Sequence, residues 1–359
     1  LVNMPMSAVQ RPSIALGTLS ALLKKAGLRV KTLYANMWFA EYFGMETHKA
    51  MALTLPQHLV CEWLFSNSAF ADHHVDDDAF FEGIENEYTG IDLQTRIPDW
   101  PAFKKLALET KAAIPVYLDW VAAHIHSADP AIVACSSIFQ QNVASLALLR
   151  KIKQTNPDIV TMMGGANCET IMGKTLHEHF TWLDYVASGE VDTFIGEFCR
   201  QVLTQGTEIL AADLPEGMFG PVHRSLGYPH SCRSYDTVPR AMTSSLDQLP
   251  PPDYDDYFAE LKGNYLSKLI VPALPFEGAR GCWWGAKSHC TFCGLNGVGM
   301  NFREKSANQL EAELDHLCTR YAINNFSAVD NILSLNHMKH FLPRLENSGK
   351  RHLLFYETR

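Results

Sequence analysis

Ala131-Ile-Val-Ala-Cys-Ser136, Asn142-Val-Ala-Ser-Leu-Ala-Leu-Leu-Arg-Lys-Ile-Lys153 and Asp158-Ile-Val-Thr-Met-Met163 follow one another mid-chain, the last running into Gly164-Gly165. The first and third are short apolar runs of buried-strand length, and the second carries apolar residues at helical spacing. Strand, helix, strand predicts a parallel pair, because parallel strands need a crossover and the crossover is usually a helix. Downstream the rhythm continues with another helical stretch, then Leu183-Asp-Tyr-Val-Ala187 with Gly189-Glu190, and a helix over 192–203. The expected class is α/β, with a doubly wound parallel sheet.

Upstream, Leu1-Val-Asn-Met4 reads as the end of a strand already under way, so residues are expected before it. Ser13 is an N-cap for an amphipathic run with Leu16, Leu19, Leu22 and Leu23 at helical spacing, and Gly27 ends it. Arg29-Val-Lys-Thr-Leu-Tyr34 follows as a strand, completing a βαβ unit. The alternation then breaks. Aromatic-rich helical patterns at 37–43, 57–70, 100–114 and 117–126 surround an acidic loop, Asp76-Asp-Asp-Ala-Phe-Phe, beside His73-His74. We read 37–127 as a helical insertion and the acidic run as a solvated face.

A chain of 359 residues is long enough for two domains, at roughly 150 residues each. A hydrophobic content of 47% against 19% charged residues is that of a globular protein. The net charge of −9 and the absence of a basic tract argue against a nucleic-acid partner, since phosphate neutralisation needs clustered Lys and Arg. No run approaches the roughly 18 apolar residues of a membrane span, and no signal-peptide pattern opens the chain. No membrane partner is expected, and the expected location is the cytoplasm.

The densest chemistry lies at Cys282-Trp-Trp-Gly-Ala-Lys-Ser-His-Cys290-Thr-Phe-Cys293. Three thiols within twelve residues read as a metal or cluster site rather than a disulfide framework, because intracellular thiols stay reduced. A structural zinc wants four ligands, and His289 or Cys318 is available as the fourth. Three thiolates also suit an iron–sulfur cube, whose remaining iron is then open to a substrate. The other cysteines, Cys61, Cys135, Cys168, Cys199, Cys232 and Cys318, are scattered singly and read as small buried apolar residues.

Cys290-Thr-Phe-Cys293 resembles the second and third cysteines of the radical S-adenosylmethionine (SAM) signature. The usual signature has three residues between its first two cysteines, and this chain has seven. That wider spacing, with Gly281-Cys282-Trp283-Trp284-Gly285 before it and Gly294-Leu-Asn-Gly297 after it, is similar to the ribosomal-peptide maturation radical SAM protein 1 branch, whose relatives bind cobalamin. The resemblance implies that Cys282, Cys290 and Cys293 hold a 4Fe–4S cluster and that Phe292 and Gly294 face the SAM adenine. It implies that Asp330-Asn331 contact the SAM amino group, and it puts Glu357 and Arg359 at the end of the next strand of the SAM site. Arg280 pairs with either the SAM carboxylate or Glu277, and Trp283 and Trp284 either shield the cluster or belong to the core.

The strand ends Pro5-Met6, Ser136-Ser137-Ile-Phe-Gln140, Gly164-Gly165-Ala-Asn167 and Gly189-Glu190 are small or amide-bearing. Such residues admit a flat ligand to the backbone, although each taken alone reads equally as turn chemistry. Together they resemble the cobalamin-binding domain of cobalamin-dependent radical SAM enzymes. No Asp-x-His-x-x-Gly is present, and Asp72-His73-His74 lacks the glycine, so no His is expected on the lower face of a bound cobalamin. The rival reading is a Rossmann-like domain that only braces its neighbour.

The expected layout is a Rossmann-like, cobalamin-binding-type domain over 1–210, a linker over 211–267 that includes a stiff proline-rich acidic stretch, and the first part of a radical SAM barrel over 268–359. Three βα units after 268 are too few to close a barrel, so the chain is expected to be part of a longer one that holds the substrate-specific residues. The implied activity is reductive cleavage of SAM by a cobalamin-dependent C-methyltransferase. Its implied partners are a peptide or small-molecule substrate and an electron donor such as flavodoxin or ferredoxin. Two alternatives stay open: a cobalamin-independent transfer of the 3-amino-3-carboxypropyl group of SAM, and a non-catalytic cobalamin or SAM sensor.

Overall fold

The computed structural model describes residues 1–358 apart from 53, 88–96, 98, 231–237 and 295–299. Six strands form the central sheet: β1 (Val2–Asn3), β2 (Leu33–Tyr34), β3 (Ile132–Ser136), β4 (Val160–Gly164), β5 (Tyr185–Ala187) and β6 (Met218–Phe219). Their spatial order is β2-β1-β3-β4-β5-β6, and every neighbouring pair is parallel except β5 with β6. The chain leaves β1 toward one edge and β3 toward the other, so the topological switch point lies between them.

Alternation along the strands sorts the two faces. Val133 and Cys135 pack into the core built with the inserted helices, whereas Ile132 and Ala134 pack against the opposite core. Helix α1 (Ile14–Lys25) and the helix Ile195–Gln205 cover that second face. Ser13 caps α1 by accepting from the Leu16 N–H at 3.3 Å, and Gly27, with φ of +79°, turns the chain beyond it.

The insertion differs from its sequence pattern in three ways. Strand β2 keeps only two residues, because helix α2 (Ala35–Phe43) starts immediately after it. The acidic stretch expected as a loop forms a helix, Asp77–Glu87; Asp76 accepts from the Ala79 N–H at 3.0 Å, and Asp77 and Asp78 sit in its first turn, where the dipole favours negative charge. The two helices expected on either side of Pro115 are one helix, Trp100–Ser127. Proline costs a helix interior about 3 kcal/mol. Here Ile114, Tyr117, Leu118 and Val121 are buried on one face of that helix, and their packing outweighs the missing hydrogen bond.

A smaller parallel sheet has the order β11-β10-β7, made from β7 (Leu274–Phe276), β10 (Asn325–Ala328) and β11 (Leu353–Phe355). Between β7 and β10 lie an antiparallel hairpin, β8 (Ala279–Arg280) with β9 (Arg303–Glu304), and the helix Ala307–Tyr321. One core joins Tyr34, Met37 and Ala40 to Leu274, Phe276 and Phe326, so α2 seats the small sheet against the large one. The proline-rich stretch before the helix Asp255–Gly263 is packed rather than free. Asp253 N–H donates to the Gly17 carbonyl at 3.0 Å, and Tyr254, fully buried, donates to the Pro275 carbonyl at 2.8 Å. No helix among the described residues is long and apolar enough to cross a membrane.

Candidate site between two carboxyl edges

The cysteine loop hangs between β8 and β9. Its base is closed at Gly281, where φ is +81° and a Cβ would strike the Asn301 carbonyl, so only glycine fits. Ala286 N–H donates to the Cys282 carbonyl at 2.9 Å, and Gly285 N–H donates to Cys282 Sγ at 3.2 Å. Cys293 N–H donates to the Cys290 carbonyl at 3.0 Å, folding the Cys-x-x-Cys pair into a turn. Trp283 Nε1–H donates to the Leu333 carbonyl at 3.0 Å and pins the loop to the segment after β10. None of the three cysteines is in a disulfide, and all three are partly exposed. They are not drawn together: among the described residues no three His, Cys, Asp or Glu side chains stand close enough to share a metal ion. Cys318 lies on the helix Ala307–Tyr321 against the second core, His289 is exposed, and Phe292 is 90% exposed.

Beneath the loop, the carboxyl edge of the small sheet holds buried polar groups. Asp330 accepts from the Gly278 N–H at 2.7 Å through Oδ1, while Oδ2 is buried without a hydrogen-bond partner. Burial pushes its carboxyl up to about 7, against the opposing pull of the Ala279 and Gly278 N–H groups. His337, which sequence reading did not single out, is equally buried. Its Nε2 meets the Lys305 carbonyl at 2.8 Å, and its Nδ1 has no partner. A Cβ on Gly278 would lie 2.7 Å from Asp330 Oδ2 and 3.2 Å from His337 Nδ1, so these two groups face the same bare stretch of backbone. Lys305 and Glu313 form a buried ion pair at 2.5 Å beside them. Asn331 is half-buried, Glu357 is exposed with its carbonyl accepting from Leu333 N–H at 2.8 Å, and Arg359 lies outside the described residues.

The carboxyl edge of the large sheet gathers the other expected residues. A cavity of about 690 Å³ runs between the sheet and α1, walled by Ile14, Leu19, Ile132, Ala134, Met162 and Ile195. It reaches Ser136, Gly164, Gly165, Gly189 and Glu190, and at the same end Glu277 and Arg280. Pro5, Ser137 and Gln140 do not line it. Pro5 is buried, and Ser137 Oγ accepts from Asn167 at 2.9 Å. Gln140 turns toward the insertion, its side-chain oxygen accepting from Cys61 N–H at 3.1 Å. Gly165 (φ +97°) and Gly189 (φ +93°) are required by close backbone neighbours, the Ser137 and Ala241 carbonyls, before any ligand is considered. Two amides organise this edge: Gln141, which sequence reading passed over, and Asn167, which closes the strand end at 164–167. Gln141 donates to Asn3 Oδ1 at 3.2 Å and to the Met4 carbonyl, tying β1 to β3 across the switch point, and Asn167 also donates to the Phe139 carbonyl at 3.0 Å. The only signal for Gln141 was an amide one position beyond a strand-end motif.

The two edges meet through arginine. Arg280 contacts Glu277 at 2.9 Å, Asp192 at 2.5 Å and Glu190 at 3.0 Å, so of the two partners the sequence left open for it, Glu277 is in place. Arg303 grips Glu190 with both Nη atoms at 2.8 Å and also donates to the Thr243 carbonyl. Burial alone would raise the Glu190 carboxyl, but the hydrogen bond from Arg303 and the charge of Arg280 outweigh it and bring it to about 2. Three carboxylates already surround the Arg280 guanidinium, which is therefore largely spent within the protein.

No family model matches the chain. A protein of Pyrococcus horikoshii named as an uncharacterized methyltransferase is 24% identical to it over 220 residues, which is 60% of this chain and 43% of that protein. The chain thus spans less than half the length of the curated relative it matches.

Proposed function

We propose that this chain is a radical SAM enzyme that methylates carbon with the help of cobalamin, acting on a peptide or other natural-product precursor and receiving electrons from a flavodoxin- or ferredoxin-like donor. The observation that carries this reading is a loop bearing three cysteines, none in a disulfide, that leaves and rejoins the chain beside the carboxyl edge of a parallel βα unit, where Asp330 keeps one buried oxygen without a hydrogen-bond partner. The methyltransferase name of the P. horikoshii relative supports the same direction.

The donor set suits the implied groups. Three thiols on one loop, none in a disulfide, are the soft ligands an iron–sulfur cluster takes, and Cys282, Cys290 and Cys293 would hold it. Ser136, Gly164, Gly165, Gly189 and Glu190, where the cavity opens at the carboxyl edge of the large sheet, are the residues that would meet one edge of a corrinoid; the apolar cavity of about 690 Å³ behind them is too small to enclose it. When bound, the cluster supplies the electron that breaks a carbon–sulfur bond of SAM, and cobalamin supplies the methyl group.

The chain's own residues orient and neutralise. Asp330 Oδ2 is positioned to accept from an ammonium, and a positive group there would lower a carboxyl that burial now holds high. Trp283 fixes the loop from one side through its hydrogen bond to the Leu333 carbonyl. Phe292 and Gly294 are exposed and free to meet a planar ring.

Anaerobic reconstitution with iron and sulfide, followed by reduction in the presence of SAM and mass spectrometry of the products, tests the reading. 5′-Deoxyadenosine that disappears when any one of the three cysteines is replaced by alanine is the expected result. Methylthioadenosine would redirect the assignment to aminocarboxypropyl transfer. A colourless, zinc-loaded protein that leaves SAM intact would end it.

A further inference from the structure

The hairpin that frames the cysteine loop is only two residue pairs long, and in its second pair Arg280 stands directly opposite Arg303. Like charges facing each other across strands are destabilising, and so short a ladder has little else to hold it. Glu277 and Asp192 each pair with Arg280 alone, and the counter-charge that the two arginines share comes from the other sheet. Glu190 Oε2 lies 3.0 Å from Arg280 Nη1 and 2.8 Å from Arg303 Nη1, from 90 and 113 residues away in the chain. The loop that carries Glu190 is itself fixed: its N–H donates to the Ala241 carbonyl at 3.0 Å, and its carboxylate accepts from Thr243 N–H at 3.0 Å. Asp192, two residues on, accepts from Thr243 Oγ1 at 2.9 Å and from Arg280.

We propose that Glu190 is a positioning residue: by bridging Arg280 and Arg303 it closes the hairpin and holds the cysteine loop in register with the carboxyl edge of the large sheet. On this account the residue acts through the two arginines rather than by touching a ligand. Its functional consequence rests on the radical methyltransferase reading, because register between the edges matters where one generates a reactive species and the other delivers the group it receives.

Two measurements test this on the intact chain. The first is amide hydrogen exchange without any cofactor. Glu190→Gln removes the counter-charge shared by both arginines and leaves Arg303 without one among the described residues, and exchange over 279–285 and 300–305 is expected to rise about tenfold while the helix Trp100–Ser127 is unaffected. Adding Arg303→Gln removes the repulsion that Glu190 offsets, so the double variant is expected to recover part of the lost protection. A residue that merely packs would make the two losses add. Unchanged exchange in Glu190→Gln, or additive losses in the double variant, overturns the proposal. The second measurement, on reconstituted protein, is the ratio of methylated product to 5′-deoxyadenosine. It is expected to fall about tenfold in Glu190→Gln, with Glu190→Asp in between, whereas simple loss of folded protein lowers both products together and leaves the ratio fixed. A fixed ratio refutes the coupling role. Absence of 5′-deoxyadenosine from the unmodified protein refutes the methyltransferase reading instead, and the exchange result stands independently of it.

Discussion

Replacing Gly165 with alanine separates two reasons for a glycine at a strand end. If Gly165 is there to admit a ligand, the ligand-free protein loses little. If the backbone demands it, the ligand-free protein is destabilised at once. Gly165 has φ of +97° and ψ of −177°, a region that is essentially glycine-only, and occupying it with a Cβ costs about 1–3 kcal/mol. The Cβ would also sit 2.5 Å from the Ser137 carbonyl oxygen and 2.8 Å from its nitrogen. Both are backbone atoms of a segment anchored by the Ser137 N–H to the Gly164 carbonyl at 2.8 Å, so relief requires a main-chain shift of the kind that costs about 1–3 kcal/mol. Together the two come to roughly 2–6 kcal/mol. Gly27→Ala is the control, since its φ is +79° but nothing lies within 4 Å of the added methyl; it should cost only the backbone part, about 1 kcal/mol. Urea unfolding followed by tryptophan fluorescence and circular dichroism gives both values from the shift in midpoint at constant slope. A Gly165→Ala loss no larger than that of Gly27→Ala would refute the steric argument and return the glycine to a ligand-facing role.

Asp330→Asn tests the buried carboxyl. A group held near 7 against an ordinary value of 3.8 binds its proton more tightly when folded, so its contribution is fully present below about pH 4 and is lost as pH rises toward 7. Three pH units correspond to about 4 kcal/mol, and the wild-type minus Asp330→Asn difference in unfolding free energy should change by up to that amount between pH 4 and pH 8. A difference independent of pH would sink the assignment. Lys305→Met strips the partner from Glu313, which is fully buried, and should cost about 3–5 kcal/mol; the double variant Lys305→Met/Glu313→Leu should recover most of it, because the desolvation penalty of the pair disappears with the pair. Equal losses in the single and double variants would show that the interaction, not the stranded charge, carried the energy.

What could be read from the chain before folding, and what could not, divides by range. Strands β3 and β4 and the helix between them were legible because each announces itself within six to fourteen residues by period alone. The acidic stretch at 76–81 was misread because a run of carboxylates has two local solutions, a solvated loop or a helix first turn, and only the packing of Phe81 and Ile84 into the first core selects the second. Pro115 was misread in the same way, since a local helix breaker yields when enough of the helix is buried on both sides of it. The candidate site follows the same division. Its thiols and glycines were found as motifs, which are local. Its electrostatic joint was not, because Glu190, Arg280 and Arg303 are common residues whose meaning exists only once chain segments about a hundred residues apart are adjacent. By position Glu190 reads as a ligand contact, but a carboxylate at a strand end that faces two guanidiniums across a marginal hairpin is used up there. The same reasoning extends to Asp330, whose free oxygen beside the unpartnered His337 nitrogen leaves hydrogen-bonding capacity, whereas both Glu190 oxygens are taken by arginine. Of the two acidic residues, Asp330 is therefore the one with capacity left for a ligand.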